Sequence, residues 1–519
     1  MIYLIRRYRI DLRDLLLSVF FFAFAYPPSR LGFLIYIAFI PQICIYRRHR
    51  PQKAFLFGYL IGLFVNMIIL HWILFYNGLG FSLIVFGNAL QFAVFATVYS
   101  FIDKINQKYA LFSFPLLWTF LEYIRQLGDL AFNWLNIAHT QTYYLPLIQY
   151  IDISGYLGVV LWIGFVNVIL YRFWMNYKSK VSLIGNAVML AILFLLPLSY
   201  GINKLMEKPV VRGVSVAYIQ PDIDPDLKWK DKFKRENLRI LTTLTDSILI
   251  TGPDLVVWPE TGIPYYLEDL KEDLDFIYRH TRDNNYYLLT GAMDKSLKNG
   301  LNLEYNASYF FVPGDSIYTA YRKLRLVPVE EAIPYQKILS RWFTGIGKGL
   351  LTAGEEAVVF EMQTNNYRLQ YTGEDWRVIE RLSTPKPSRI ASVICYESIF
   401  PNLIREFYQK RCDLLVIITN DAWFGHTAQP FQHNQIAVLR AIEQRSSVVR
   451  CANSGISTFI DPYGREFFSS DIFTKTVAQK IMPLRLESTI YAKYGDWPGI
   501  FSGILIFSFL TLLVLSRKS

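Results

Sequence analysis

Apolar residues are concentrated in two parts of the chain. Long apolar stretches fill residues 14–201 and recur at 497–515, whereas the residues between them alternate short apolar runs with polar and charged segments. Because a helix needs about 20 apolar residues to cross a bilayer, the long stretches indicate membrane helices. We predict eight spans, at 14–27, 31–46, 54–76, 80–102, 109–125, 157–176, 181–201 and 497–515. The chain then divides into a seven-helix bundle at 1–201, an extramembrane domain at 202–496, and an eighth helix with a short tail at 497–519.

Short basic segments between these spans predict their orientation. They lie at 6–13, 47–53, 104–108, 172–180 and 517–518. With eight spans all five segments fall on one side, which the positive-inside rule assigns to the cytoplasm. Both termini are then cytoplasmic and the domain at 202–496 lies on the opposite face. The net charge of +11 belongs largely to these loops, so it does not indicate nucleic-acid binding.

The segment from residue 211 onward has the pattern of a layered α/β domain. Short apolar runs that suit strands buried on both faces occur at 214–219, 255–258, 287–289, 308–312, 391–394 and 414–418. Helical stretches occur at 231–250, 269–284 and 430–448. Strands that alternate with helices predict an α/β sandwich. We interpret 360–390 as an irregular hairpin or surface excursion.

Three reactive side chains stand at predicted strand ends. Glu260 ends Val256-Val257-Trp258-Pro259-Glu260, Lys323 lies in a basic run before Val327-Pro328, and Cys395 ends Val393-Ile394-Cys395. Strand ends are where α/β folds bind ligands. A carboxylate can deprotonate a thiol, and an ammonium can stabilise the oxyanion that forms when the thiolate attacks a carbonyl. The three side chains together therefore indicate acyl transfer through a cysteine.

Each of these residues also has a simpler explanation when it is taken singly. Glu260 could cap a helix, Lys323 could belong to a solvated basic run, and Cys395 could be a small buried apolar residue. We treat Cys412 and Cys451 as structural cysteines. The six histidines and four cysteines lack the spacing of metal ligands, so we expect no metal and no cofactor.

The order of glutamate, lysine and cysteine at strand ends resembles the nitrilase superfamily. A domain of that kind between seven membrane spans and a last one resembles the apolipoprotein N-acyltransferases over nearly the whole chain. The strings that carry this resemblance are Phe132-Asn133-Trp134-Leu135, Leu227-Lys228-Trp229, Trp258-Pro259-Glu260, Tyr305-Asn306, Leu326-Val327-Pro328, Ile394-Cys395-Tyr396-Glu397, Thr419-Asn420-Asp421-Ala422-Trp423-Phe424-Gly425 and Gly495-Asp496-Trp497-Pro498.

The resemblance implies an α-β-β-α sandwich inserted between helices seven and eight. It implies that Glu260 is the base, Lys323 the oxyanion stabiliser and Cys395 the nucleophile. The family's supporting acids fall on Glu331 and Glu397 in this sequence. Glu330 stands beside Glu331 where the family usually has glycine, so either acid could assist the site. The substrate-binding residues that the resemblance implies are Trp229, Asn306, Tyr396 and Trp423.

The resemblance also implies the reaction and its partners. A membrane phospholipid, which we expect to be phosphatidylethanolamine, gives an acyl chain to Cys395, and the thioester passes it to a diacylglyceryl apolipoprotein. The enzyme is expected to be a monomer in the bacterial inner membrane with its domain in the periplasm. The glycines and aromatic residues of 342–347 suit an arm that gates lipid entry, although a packed loop explains them nearly as well.

Two other functions use the same sequence features. A membrane-tethered amidase would need the same three catalytic residues, but a hydrolase of small soluble amides has no need of eight membrane spans. A transporter with a non-catalytic outer domain would be expected to have intramembrane charges or helices broken in corresponding halves.

Overall fold

A computed structural model of the protein describes residues 2–298, 300–335, 351–364 and 366–515. The chain divides into two compact units. The first contains Met1–Lys204 and Tyr494–Ser519, and the second contains Leu205–Lys493. The segment 342–347, for which the sequence suggested a gating arm, lies outside the described residues.

Helices make up the first unit. Its α-helices are Ile2–Ala25, Ile35–Ala38, Ile40–Arg48, Pro51–Ile69, His71–Tyr76, Gly78–Ile105, Gln107–Arg125, Leu145–Ile148, Ile151–Met175, Lys180–Met206 and Trp497–Leu515. Its 3-10 helices are Gly32–Leu34, Asn133–Leu135 and Ile137–Gln141. Every predicted span overlaps helical residues, but the span predicted at 31–46 consists of three short helices, and the span predicted at 54–76 is divided between Pro51–Ile69 and His71–Tyr76.

Among the residues that the structure describes, four helices are long and apolar enough to cross a membrane. They are Pro51–Ile69, Gly78–Ile105, Ile151–Met175 and Lys180–Met206. The last has a mean hydropathy of 2.3 over its most apolar window, yet only 6% of that window is buried within the protein. So much exposed apolar surface is unfavourable in water and suits contact with lipid. The count of eight membrane spans stays a prediction.

A buried asparagine accounts for the break in the second predicted span. The Oδ1 atom of Asn167 accepts a hydrogen bond from the backbone N–H of Phe39 at 3.0 Å. Its Nδ2 atom donates to the carbonyl of Ile35 at 2.9 Å. Backbone groups freed where a helix is interrupted within a membrane protein need such internal partners, because lipid offers none.

Two β-sheets form the centre of the second unit. Its strands are β1 Val210–Gln220, β2 Leu255–Val257, β3 Ile263–Tyr266, β4 Tyr287–Lys298, β5 Leu301–Phe311, β6 Tyr318–Arg322, β7 Val359–Thr364, β8 Tyr367–Tyr371, β9 Trp376–Arg381, β10 Lys386–Ile394, β11 Leu414–Thr419, β12 Val448–Ala452, β13 Thr458–Ile460, β14 Glu466–Phe467 and β15 Thr476–Pro483. The larger sheet has the order β6-β5-β4-β2-β1-β8-β9, with β15 paired to β1 and β3 paired to β4. The smaller sheet has the order β14-β13-β12-β11-β10-β7.

The two sheets pack face to face between helices. The thiol of Cys451 on β12 lies 3.3 Å from the carbonyl oxygens of Ile219 and Val257 on the opposite sheet. The rings of Phe310 and Phe360 stack across the interface with centroids 4.9 Å apart.

The principal helices of this unit are Lys234–Leu249, Lys271–Asp283, Pro401–Gln409, Gln429–Gln444 and Ile490–Tyr494. Short helices cover Pro225–Lys228, Asp231–Phe233, Leu267–Asp269, Cys395–Ile399 and Asp421–Phe424. The first two of these principal helices cover the larger sheet, and Pro401–Gln409 and Gln429–Gln444 belong to the smaller one. This arrangement is the predicted α-β-β-α sandwich.

Two regions differ from the sequence-based expectation. The segment 360–390 is regular instead of irregular, since β7 and β10 extend the smaller sheet while the β8–β9 hairpin extends the larger one. The helix predicted at 430–448 ends at Gln444. Arg445 has the left-handed φ of 47°, which stops the helix, and β12 follows three residues later.

Candidate active site

The three reactive residues stand beyond three strands, as the sequence predicted, Lys323 and Cys395 directly and Glu260 after two intervening residues. Glu260 follows β2, Lys323 follows β6, and Cys395 follows β10. The Nζ atom of Lys323 lies 3.6 Å from Oε1 of Glu260. Both Glu260 and Lys323 act electrostatically on the thiol of Cys395. The structure thus brings together three side chains that lie up to 135 positions apart in the sequence.

Two donors hold the carboxylate of Glu260 in place. Its Oε1 atom accepts a hydrogen bond from Nδ2 of Asn306 at 2.8 Å. Its Oε2 atom accepts from the backbone N–H of Asn420, at the end of β11, at 3.0 Å. Each oxygen therefore has a fixed partner, which aligns the carboxylate without help from the thiol.

The turn that carries Glu260 packs directly against strand β4 at Gly291. A β-carbon added at Gly291 would lie 2.4 Å from the backbone nitrogen of Thr261 and 2.7 Å from the α-carbon of Glu260. Real β-carbons do not approach other atoms so closely. Only glycine at position 291 therefore lets the turn and its carboxylate sit where they do.

Lys323 is buried between two carboxylates. Its Nζ atom donates to Oε1 of Glu331 at 2.9 Å, closer than its approach to Glu260. Burial alone would lower the pKa of Lys323, but Glu331 and then Glu260 outweigh that effect and raise it. The lysine therefore stays protonated and supplies a permanent positive charge. Glu331, and not the exposed Glu330, makes this contact.

Asn306 and Glu331 complete a small network around the lysine. Nδ2 of Asn306 also lies 3.3 Å from Oε1 of Glu331, so it bridges the two acids. The other oxygen of Glu331 accepts from the backbone N–H of Val327 at 2.8 Å. Asn306, which the sequence assigned to substrate, thus contacts the carboxylates of both Glu260 and Glu331.

Cys395 occupies a sharp bend between β10 and a 3-10 helix. Its φ of 51° lies in the left-handed region, which non-glycine residues rarely adopt. Burial raises the pKa of the Cys395 thiol well above its usual value, and the negative charge of Glu260 raises it further against the opposing effect of Lys323. A thiol in this state is protonated at rest and needs a base before it can attack a carbonyl.

Glu397 forms hydrogen bonds with both the bend at Cys395 and the segment that carries Lys323. Its Oε1 atom accepts hydrogen bonds from the hydroxyl of Tyr321 at 2.7 Å and from the backbone N–H groups of Leu324 at 2.7 Å and Arg325 at 3.1 Å. Its Oε2 atom accepts from the backbone N–H of Ile394 at 2.8 Å. Burial raises the pKa of Glu397. With these contacts, Glu397 connects the segment that carries Lys323 to the strand end that precedes Cys395.

A second buried network, absent from the sequence-based candidates, lies behind Cys395. The Nε2 atom of His433 is 3.2 Å from the carbonyl oxygen of Cys395, and its Nδ1 atom is 2.9 Å from Oδ1 of Asp421. Arg450 forms an ion pair with the other oxygen of Asp421. Burial and the charge of Arg450 lower the pKa of His433. Asp421 lies in a motif that was recognised, whereas nothing in the sequence distinguished His433 from other helical residues.

Cys395, Asp421 and His433 are candidate metal ligands within the described part of the chain, because their sulfur, oxygen and nitrogen atoms lie within 4.8 Å of one another. Metal binding is disfavoured there by the ion pair that Asp421 already forms with Arg450. Oδ1 of Asp421 also accepts from Nε2 of Gln429 at 3.1 Å. The donor set suits an internal network that supports the cysteine.

The remaining residues that the sequence assigned to substrate are the aromatic residues Trp229, Tyr396 and Trp423. Trp229 follows the short helix Pro225–Lys228 and is 44% exposed. Tyr396 is buried and packs edge-on against Phe400. Trp423 is half-buried in the short helix that follows β11.

Comparison with known proteins assigns both parts of the chain. The carbon-nitrogen hydrolase family model matches residues 215–490, and the model of the apolipoprotein N-acyltransferase N-terminal domain matches residues 18–169. The chain is 31% identical to an apolipoprotein N-acyltransferase of Geobacter metallireducens, over 93% of this chain and 92% of that protein. It is 30% identical to one of Chlorobaculum tepidum, over 95% of this chain and 94% of that protein.

Among solved structures, the chain is similar to an amidase from Nesterenkonia sp., with a TM-score of 0.37 and 15% identity over 53% of this chain and 92% of that one. The matches of the family models and of the two curated relatives extend over both the helical part and the sandwich. The chain therefore belongs to the apolipoprotein N-acyltransferase family.

Proposed function

We propose that this membrane protein transfers an acyl chain from a phospholipid to the N-terminus of apolipoproteins. The acceptor is the α-amine of an S-diacylglyceryl cysteine, and the donor is phosphatidylethanolamine. The observation that carries the proposal is the cluster of Glu260, Lys323 and Cys395 beyond three strand ends, in a chain of this family. Lipid substrates explain why one chain combines such a cluster with apolar helices.

The first half of the reaction forms a thioester. Glu260 accepts the proton of the Cys395 thiol, and the sulfur attacks the carbonyl carbon of a phospholipid ester. Lys323 stabilises the negative charge that develops on the carbonyl oxygen. The bond between that carbon and the glycerol oxygen breaks, and Glu260 returns the proton to the departing oxygen. The products are a lysophospholipid and an acyl-enzyme.

The second half transfers the acyl chain to nitrogen. The amine of the apolipoprotein attacks the thioester carbon, and Glu260 accepts a proton from the nitrogen. The carbon–sulfur bond breaks, the amide remains on the lipoprotein, and Glu260 reprotonates the thiolate of Cys395. Two substrates that react in turn at one thiol predict ping-pong kinetics.

The supporting residues keep this geometry fixed. Glu331 holds Lys323 at 2.9 Å, and Glu397 connects the segments that precede Cys395 and follow Lys323. We assign Trp229, Tyr396 and Trp423 to contacts with the lipid substrates. They are aromatic, they flank the motif residues, and Trp229 is exposed.

The topology belongs to the same proposal. Eight helices cross the membrane, both termini are cytoplasmic, and the domain at 202–496 faces the periplasm, where the enzyme acts as a monomer. Single cysteines introduced into a Cys395→Ala background test this orientation. Ile250→Cys, at a side chain that is 94% exposed, should react with a membrane-impermeant maleimide in intact cells, whereas Lys178→Cys should not. Labelling of both positions, or of Lys178→Cys alone, would reject this topology.

The reaction is tested by the intact mass of the purified protein after incubation with a defined phosphatidylethanolamine. The wild type should gain one acyl mass, Cys395→Ala should gain none, and a diacylglyceryl lipopeptide should discharge the adduct onto its own amine. An adduct that water removes as fast as the lipopeptide does would indicate an amidase-type hydrolase instead. No adduct, or one that Cys395→Ala also forms, would exclude Cys395 as the nucleophile.

A further inference from the structure

A second lysine is buried behind the catalytic carboxylate. Lys228 ends the short helix Pro225–Lys228 and has no solvent exposure. Its Nζ atom donates to the carbonyl oxygen of Glu260 at 3.0 Å and to Oγ1 of Thr261 at 2.9 Å. A fully buried lysine is uncommon and is normally paired with a carboxylate. Here the hydrogen bonds in the described part of the chain go to a carbonyl and a hydroxyl instead.

The two acceptors belong to the turn that carries the proposed base. Thr261 has a φ of 45°, a left-handed conformation that a β-branched residue adopts only when its surroundings impose it. The backbone of Gly291 packs closely against this turn, and Lys228 donates a hydrogen bond to it. The main chain of Glu260 is thus held by Lys228 while its carboxylate is held by other residues.

The position of Lys228 is itself fixed by its surroundings. Its backbone carbonyl accepts a hydrogen bond from Nδ2 of Asn237 at 3.0 Å, and its backbone N–H donates to the carbonyl of Asp224 at 3.0 Å. The helix that contains Asn237 packs on the larger sheet. Lys228 therefore links the turn to a rigid layer of the sandwich, which a loosely held surface lysine could not do.

We propose that Lys228 is a positioning residue for the acyl transfer. Its hydrogen bonds to the Glu260–Thr261 turn determine how closely the Glu260 carboxylate approaches the thiol of Cys395. The inference rests on the proposed function, because it assigns a role in delivering the base of that reaction. Lys228 itself contacts neither the thiol nor Lys323 in the described structure, so it acts through Glu260.

The charge of Lys228 adds a property that a purely structural lysine would not have. Burial lowers the pKa of Lys228 to about 7, and Glu260 is the charged group that opposes this shift. A neutral amine keeps two N–H groups, which match its two acceptors, so deprotonation removes the positive charge but not the hydrogen bonds. Deprotonation of Lys228 removes a positive charge beside the carboxylate that must receive the thiol proton, so proton transfer from Cys395 should become faster as the pH rises through about 7.

The test compares the rate of acyl-enzyme formation in Lys228→Met and in Lys230→Met, whose side chain is exposed two positions away. Lys228→Met should slow this step by about tenfold or more, since displacements of about 1 Å at a reacting group can cost about 100-fold. It should also lose the rise in rate near pH 7. Lys230→Met should match the wild type in both respects.

Variants of the acceptor keep the test informative if Lys228→Met does not fold. Thr261→Ala removes one acceptor, whereas Thr261→Ser keeps the hydroxyl and should preserve the wild-type rate. Where Lys228→Met does fold, the double variant Lys228→Met with Thr261→Ala should be no slower than Lys228→Met alone, because both changes remove one contact.

The outcomes separate this inference from the proposed function. If the wild type forms no acyl-enzyme, the proposed function fails. If the wild type does form it, a Lys228→Met variant with the wild-type rate and pH profile overturns the role of Lys228. Equal rates in Thr261→Ala and Thr261→Ser would also overturn it.

Discussion

Replacing Gly291 with alanine should displace the proposed base without altering any reacting group. The new β-carbon would lie 2.4 Å from the backbone nitrogen of Thr261 and 2.7 and 2.8 Å from the α-carbon and carbonyl carbon of Glu260. All three neighbours are backbone atoms, so no side chain can rotate away to make room. The turn that follows β2 has to move as a whole.

The size of that movement follows from the contact distances. Ordinary van der Waals contact to a β-carbon begins at 3.4 Å, so the turn must retreat by about 1 Å. A shift of this size stretches the hydrogen bonds that Glu260 accepts from Asn306 at 2.8 Å and from Asn420 at 3.0 Å. A misplacement of about 1 Å can cost about 100-fold in rate, which corresponds to about 2.7 kcal/mol of activation free energy.

Single-turnover formation of the acyl-enzyme, followed by intact mass at a saturating phospholipid concentration, measures this effect. We expect the maximal rate to fall by about 100-fold while the phospholipid concentration at half-saturation changes much less. Gly185→Ala is the matched control, because a β-carbon there meets nothing within 4 Å. Thermal unfolding reports whether the second unit still folds. A folded Gly291→Ala variant that acylates at the wild-type rate would refute the need for close placement of the base.

Glu397, Asp421 and two fully buried thiols allow further tests. Glu397→Gln sets an NH2 group against a backbone N–H, which should cost about 1–3 kcal/mol of stability and slow acylation by about tenfold; an unchanged melting temperature and rate would contradict this. Although burial alone would raise the pKa of Asp421, Arg450 outweighs it and lowers that pKa. Ionised Asp421 therefore stabilises the fold above its unfolded pKa of about 3.9, and this stabilisation is lost as the pH falls toward the lower folded-state value. Asp421→Asn should be less stable at pH 7 and lose less stability on acidification in denaturant titrations, so an unaltered acid dependence would count against the ion pair. The buried thiols of Cys412 and Cys451 donate to backbone carbonyls, so a double alanine variant should still gain one acyl mass, and its failure to do so while folded would reassign the nucleophile.

Much of the site could be predicted because its reactive residues are marked locally in the chain. Glu260 and Cys395 each end a short apolar run, and a run of that kind stops where a buried strand stops. The ends of neighbouring strands can meet at one edge of a sheet, so three chemically suited residues at three strand ends already implied a cluster. The distances between them, such as 3.6 Å from Lys323 to Glu260, depend on the pairing of strands and could not be derived from the sequence.

The apolar pattern also identified the helices of the first unit, because hydropathy is summed over neighbouring residues. It did not predict the interruption near Phe39, which depends on a side chain 128 positions away on another helix. It likewise missed the end of a helix at Arg445 and the strands within 360–390. There the local pattern is ambiguous, and pairing with a distant strand determines the structure.

The sequence by itself determined the kinds of layers, the apolar helices and the three reactive residues, since each is encoded in short contiguous stretches. Only the tertiary structure decided which groups support them. Lys228 reaches Glu260 across 32 positions, and Asp421 meets Arg450 across 29. Such contacts join residues from separate segments of the sequence, so neither segment alone reveals them. Their role arises because folding buries a charge or a carbonyl beside one particular partner. In the low dielectric of the interior, the interaction with that partner is stronger than it would be in water.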